Sequence, residues 1–129
     1  SFHKLPDGKD LVIRNARFTC PETLFRPSLI GSDNPGIHKM CFDSIMKSDQ
    51  NIHQTLLNNI ILEGGNTMFA GIADRFQREM NAVVPSYYLV KVIVPPERRS
   101  SVWIGGSILG SLHSFQEMWL PKERYDEAG

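Results

Sequence analysis

The chain has 129 residues, 41% of them apolar, which suits one globular core or a piece of a larger one. Lysine plus arginine equal aspartate plus glutamate at 14 each, so no long-range field gathers nucleic acid or an anionic membrane surface, and partners are to be recognised by shape. Cys20 and Cys41 lack CxxC spacing and are too few for a disulfide scaffold, and no apolar run approaches the roughly 18 to 20 residues of a membrane span, so a soluble, cytoplasmic chain with reduced thiols is expected.

Phe2 begins a strand-like run with no initiator Met before it, and Glu127-Ala128-Gly129 stops just after a helical pattern; both ends have the profile of a fragment. Leu5 and Leu11-Val12-Ile13 flank Pro6-Asp7-Gly8-Lys9, in which proline presets φ and glycine accepts a positive φ, so a hairpin is predicted. Thr19 and Glu22 have capping-box spacing with Pro21 between them, opening a short helix through Phe25. Arg26 to Gly36 is a loop broken by Pro27, Gly31 and Pro35, with apolar Leu29 and Ile30 at its centre. Asn34 then offers a cap for a helix whose face is Ile37, Met40, Cys41 and Ile45, and a shorter helix is predicted within Asp49 to Asn58.

Ile60-Ile61-Leu62 reads as a short strand ended by Gly64-Gly65, and Phe69, Ile72, Ala73, Phe76, Met80 and Val83 mark one face of the helix that follows. Tyr87 to Val94 is nearly continuous apolar sequence and reads as a buried strand. Strand, helix, strand is a βαβ unit, so the fold class is α/β, with a mixed sheet and flanking helices. Pro95-Pro96-Glu97-Arg98-Arg99 is a rigid turn, because paired prolines give no ladder donors. Val102-Trp103-Ile104 lead into Gly105-Gly106-Ser107, after which Ile108, Leu109 and Leu112 begin a helix; close helix packing is the favoured reason for these glycines. Ser114 to Glu117 is a second capping box, and Pro121 opens a last helix over Lys122 to Glu127.

Gly64-Gly65-Asn66-Thr67 lies at the carboxyl end of a strand, where open α/β sheets bind ligands, and glycines there let the backbone approach a flat or anionic group. A Gly-Gly pair in that place is more often a plain strand-to-helix turn, and pattern alone leaves both readings open. Asp74, Glu79, Glu97 and Glu117 read as solvated faces, and His3, His38, His53 and His113 share no metal-ligand spacing.

Several phrases resemble the actin family: Leu5-Pro6-Asp7-Gly8, Cys20-Pro21-Glu22-Thr23-Leu24-Phe25, Gly71-Ile72-Ala73-Asp74-Arg75, Pro95-Pro96-Glu97-Arg98 and, longest, Ser101 to Leu109. The resemblance covers the whole chain and corresponds to roughly the last third of an actin. It implies the actin-like ATPase (ribonuclease H-like) fold in a larger two-domain protein. Residues 1–32 would close an upper, subdomain 4-like region, 33–100 form a lower, subdomain 3-like α/β region, and 101–129 return to the other half, subdomain 1-like.

The resemblance further implies that Gly64, Gly65, Asn66, Thr67, Met68 and Phe69 line the adenosine of ATP or ADP, with Phe69 stacking where actins usually have tyrosine and Arg99 standing where they have lysine. Ala70 replaces a family proline. The phosphate loops and the acidic residues linked to Mg²⁺ lie in the part of an actin before Ser1, so no catalytic residue is assigned. Leu109, Leu112, Ser114 and Met118 match the cleft that receives helices of actin-binding proteins, although by spacing alone Leu109 and Leu112 are ordinary core residues. Leu29 and Ile30 match the plug that meets neighbouring protomers, although a loop packed on its own domain has the same composition. The function implied is an ATP-binding cytoskeletal filament subunit with slow ATP hydrolysis, whose partners are other protomers and actin-binding proteins. The alternative is a non-polymerising actin-related subunit of a dynein- or chromatin-type complex, to which the departures at Ser48, Phe69, Ala70 and Arg99 point.

Overall fold

The computed structural model describes residues 2–128, which divide into two compact units: one runs to Ile60 and resumes over Phe69–Ile93, the other comprises Ile61–Met68 and the chain from Val94 on. The first unit opens with the predicted hairpin, β1 (Phe2–Lys4) antiparallel to β2 (Asp10–Val12), in register His3 to Leu11. The turn closes because Gly8 takes φ +85° and donates to the Leu5 carbonyl at 2.9 Å, while Asp7 accepts from the Lys9 amide at 3.1 Å.

The expected capping box at Thr19 does not form. Helix α1 (Ala16–Glu22) starts earlier, since the amides of Phe18 and Thr19 both donate to the Asn15 carbonyl at 2.9 Å. Thr19 is therefore interior, its hydroxyl bonded back to Asn15, and Glu22 turns away to Arg75. Pro21 falls in the final turn rather than the first, one residue before the helix ends. The loop beyond holds a 3-10 turn, Pro27–Ile30, closed by Gly31 at φ +73°.

Helix α2 (Ile37–Met46) is capped by the extended Gly36, not by Asn34, whose amide groups both bond the Ser32 hydroxyl instead. A Cβ on Gly36 would lie 2.2 Å from the Phe25 carbonyl oxygen, so this joint accepts only glycine. Of the predicted face Ile45 is buried, Ile37 and Cys41 are half-buried, and Met40 is exposed. A 3-10 turn, Gln50–Ile52, with Asp49 accepting from the Asn51 amide, leads into α3 (His53–Leu57), whose Leu57 is fully buried.

After β3 (Ile60–Ile61) the expected long helix is divided: a 3-10 turn, Gly65–Met68, comes first, and α4 (Ile72–Val83) begins only after Gly71 at φ +76°. Phe69 thus stands outside the helix. Of the remaining face Ala73 and Val83 are half-buried, whereas Ile72, Phe76 and Met80 recur every fourth residue and are buried, as is Val84 just beyond. Together with Phe25, Ile45, Leu57 and Ile60 they form the core of this unit, where α4 packs on α2.

The predicted buried strand over Tyr87–Val94 shrinks to β4 (Val92–Ile93), paired with β3. Tyr87 is 76% and Leu89 72% exposed, so the apolar run there is not a core segment. Its backbone groups are satisfied largely by side chains. Gln54 donates to the Leu89 carbonyl at 3.0 Å and accepts from its amide at 3.3 Å; Gln77 donates to Val90 and accepts from Val92, each at 3.0 Å. Two glutamine amides stand where a strand's neighbours would. The strand–helix–strand order is present, but the strands described form two separate two-stranded sheets rather than one mixed sheet.

In the second unit, α5 (Ser101–Ser111) runs unbroken through Gly105 and Gly106, so the helix expected to begin at Ile108 starts at Ser101. No atom lies within 4 Å of where a Cβ on either glycine would stand, which also removes close packing as their reason within this chain. Ser114 does not cap: a 3-10 helix, His113–Met118, begins behind Leu112, because α5 leaves the chain extended there at ψ 135°. The last helix, α6 (Lys122–Ala128), starts after Pro121 as predicted. Leu62 is buried, whereas Val102, Trp103, Ile108 and Trp119 are exposed. Among the described residues no helix is long and apolar enough to cross a membrane.

Candidate nucleoside turn and surfaces

The candidate site begins where β3 gives way to glycine. Gly64 takes φ +91°, a conformation that side chains with a Cβ rarely adopt, and its amide donates to the Arg98 carbonyl at 2.8 Å. Its own carbonyl accepts both the Thr67 amide, at 3.0 Å, and the Thr67 hydroxyl, at 2.7 Å. The result is a tight turn that needs nothing from the Gly65 side chain position. A Cβ at Gly65 would meet no atom within 4 Å, so the space over its backbone is open. The two glycines therefore have different reasons: Gly64 for its dihedral, Gly65 for clear access.

Around this turn Asn66 and Met68 are exposed, and Thr67 is half-buried by its bonds. Glu63, one residue upstream, has one carboxylate oxygen, Oε2, buried with no hydrogen-bond partner. Arg99, the expected contact to a base, is exposed on the Pro95–Ser100 turn. The residue that bonds the glycine turn is instead its neighbour Arg98, whose Nε donates to the Thr67 carbonyl at 3.0 Å and Nη1 to the Pro95 carbonyl at 3.1 Å. Sequence reasoning passed over Arg98; its place beside the diproline turn was the only available signal.

Phe69 belongs to the first unit, where it is 42% exposed and lines a cavity of about 460 Å³ together with Phe18, Phe25, Ile72 and Arg75. Arg17 and Arg75 both line this cavity, and Arg75 is the one held by carboxylates. Arg75 donates from Nη1 and Nη2 to the two oxygens of Glu22, at 2.7 and 2.9 Å, and from Nε to Glu79 at 2.6 Å, with its plane over the Phe25 ring at 4.6 Å. That forked bond holds the Glu22 carboxyl below the usual carboxylate range, and both acids keep the guanidinium charged. Glu79 is thus a member of an ion-pair cluster, not the solvated residue expected; Asp74, Glu97 and Glu117 are exposed as predicted.

Leu29 and Ile30 sit on the 3-10 turn before Gly31, 50% and 71% exposed. Leu109, Leu112, Ser114 and Met118 are all exposed in the second unit, so within this chain the ordinary-core alternative for Leu109 and Leu112 does not hold. Burial pushes the Cys41 thiol up, which keeps it protonated, while Cys20 is exposed. No group of three or more His, Cys, Asp or Glu side chains among the described residues is placed to hold a metal.

Comparison with protein-family models gives a match to the family described as Actin, over residues 1–129.

Proposed function

Because this chain belongs to the actin family, we propose that its Gly64–Met68 turn supplies the adenosine side of an ATP site in a protein that assembles into cytoplasmic, cytoskeletal filaments and hydrolyses ATP slowly. The observation that carries the reading is the open backbone at Gly65, held by the neighbouring Gly64 at a positive φ that glycine adopts without strain. A flat base can lie against such a backbone, and a Cβ would fill the space. The buried, unpartnered oxygen of Glu63 beside it is an acceptor suited to an amino or hydroxyl hydrogen of a nucleoside.

In this proposal Arg99 offers a planar cation to the nucleotide. Mg²⁺ and the phosphates would be held by residues outside this stretch, in the ribonuclease H-like fold that the family implies; the metal would neutralise phosphate charge there. The residues of the turn bind and orient the nucleoside in this proposal. The exposed pair Leu29 and Ile30 would serve as a plug toward a neighbouring protomer, and Leu109, Leu112, Ser114 and Met118 as a groove for partner helices.

Gly65→Val in the full-length protein is the sharpest probe, because the free space at that position lets the fold accept the side chain. Nucleotide retention is expected to fall at least about a hundredfold, measured by equilibrium competition with ATP. Unchanged affinity would remove the assignment. Filament formation is checked separately, by sedimentation with Mg-ATP across salt conditions. A protein that binds ATP yet never pellets, and is counted as one copy in a larger assembly, would be a non-polymerising actin-related subunit, the reading toward which Phe69, Ala70 and Arg99 lean.

A further inference from the structure

Resting on the nucleoside reading above, we infer that Arg98 is the positioning residue of that site: it holds the glycine turn in its binding form without touching the nucleotide. The turn needs such a holder. Two adjacent glycines give Gly64–Thr67 more backbone freedom than any other pair of residues would, and freedom left in a binding loop is lost again as affinity when a ligand orders it.

Arg98 grips the turn at both ends. At the start, its carbonyl accepts the Gly64 amide at 2.8 Å; at the finish, its Nε donates to the Thr67 carbonyl at 3.0 Å. The same guanidinium reaches back through Nη1 to the Pro95 carbonyl at 3.1 Å, and the Arg98 amide also donates to that oxygen, at 3.2 Å. Since the ring of Pro96 fixes the φ that follows Pro95, the anchor is stiff. The Ser101 hydroxyl adds a bond to the Arg98 carbonyl at 3.2 Å, so the peptide that receives Gly64 is itself held.

This arrangement asks for arginine specifically. Nε and Nη1 lie in one rigid plane and bridge two carbonyls, whereas a lysine ammonium is a single point on a flexible stem and satisfies one of them at a time. Adjacent arginines thereby divide the work. Arg98 is half-buried and spent on main-chain carbonyls, and the exposed Arg99 is left for the ligand.

The test uses the full-length protein with Arg98→Lys, and Gly65→Val alongside it. Affinities for ATP and GTP are measured by equilibrium competition. Loosening the turn blurs what it presents to the base, so Arg98→Lys is expected to weaken ATP about tenfold and to reduce the ATP-to-GTP affinity ratio by a similar factor. A residue with a merely structural role would weaken both nucleotides equally, and an unchanged ratio overturns the inference. If Arg98→Lys keeps full affinity and ratio while Gly65→Val loses ATP, the nucleoside site stands and the role of Arg98 falls. If Gly65→Val also binds normally, the site itself is wrong, and the inference goes with it. Should Arg98→Lys not fold, Ser101→Ala removes one bond from the Arg98 carbonyl with no change of charge; a fall of about threefold in the same ratio supports the role, and a constant ratio refutes it.

Discussion

Arg75 has three of its guanidinium nitrogens committed to carboxylates and its face committed to a ring, so the value of the cluster depends on Glu22 and Glu79 being ionised. The sign follows from Glu22, whose carboxyl titrates lower in the folded chain than in the unfolded one. Its contribution is complete above the unfolded value of about 4.3 and is lost as pH falls through the lowered folded value. Glu22→Gln is therefore expected to cost about 1 to 2 kcal/mol at pH 7, and the gap between the two proteins should close toward pH 3, as followed by urea melts at both pH values. A gap independent of pH would mean that packing, not charge, is what Glu22 supplies. Half of this cluster was legible in the sequence: Arg75 and Glu79 have the i, i+4 spacing of a helical ion pair. The other half was not, because Glu22 lies 53 residues away and no local pattern links it to α4.

Among the elements, the hairpin and α6 were legible from turn and proline chemistry, and one helix from the period that its own burial writes into the chain. That helix is α4: Ile72, Phe76 and Met80 repeat because all three are buried on one face, and the repeat survived even though the helix began later than expected. The Tyr87–Val94 run was misread for the opposite reason, since its apolar residues are exposed and its order comes from Gln54 and Gln77, whose hydrogen bonds leave no periodic mark. Helix α5 failed at a different point: glycine is a weak helix former, yet Gly105 and Gly106 are helical, and the apolar residues on either side have no period that marks the continuity. That helix carries a direct prediction. With nothing near either glycine, Gly106→Ala adds no clash and removes unfolded-chain freedom, so it should raise the stability of α5 by about 0.5 to 1 kcal/mol, seen as a gain in helical circular dichroism on heating. A loss of helicity would show that the backbone of α5 needs the glycine after all.

For the whole molecule, family membership was legible because long phrases such as Ser101 to Leu109 are specific in themselves, while the candidate site was suggested only through that membership. Composition and spacing left Gly64-Gly65 ambiguous between a plain turn and a ligand-facing one; what separates the two glycines is φ and open space, neither of which a sequence displays. The two glutamines have a consequence at this scale as well. In extended chain, successive peptide groups point to opposite edges, so the bonds of Gln54 and Lys91 close one edge of Leu89–Val92 and Gln77 closes the other. A short apolar strand with a bare edge is a template on which foreign strands stack, and Gln77 acts as a guard against that polymerisation of the wrong kind. Gln77→Leu would strip the guard while adding apolar surface, and it should shorten the lag before thioflavin-positive aggregates appear at concentrations where the parent chain stays clear. An unaltered lag would place the protection elsewhere than in this one amide.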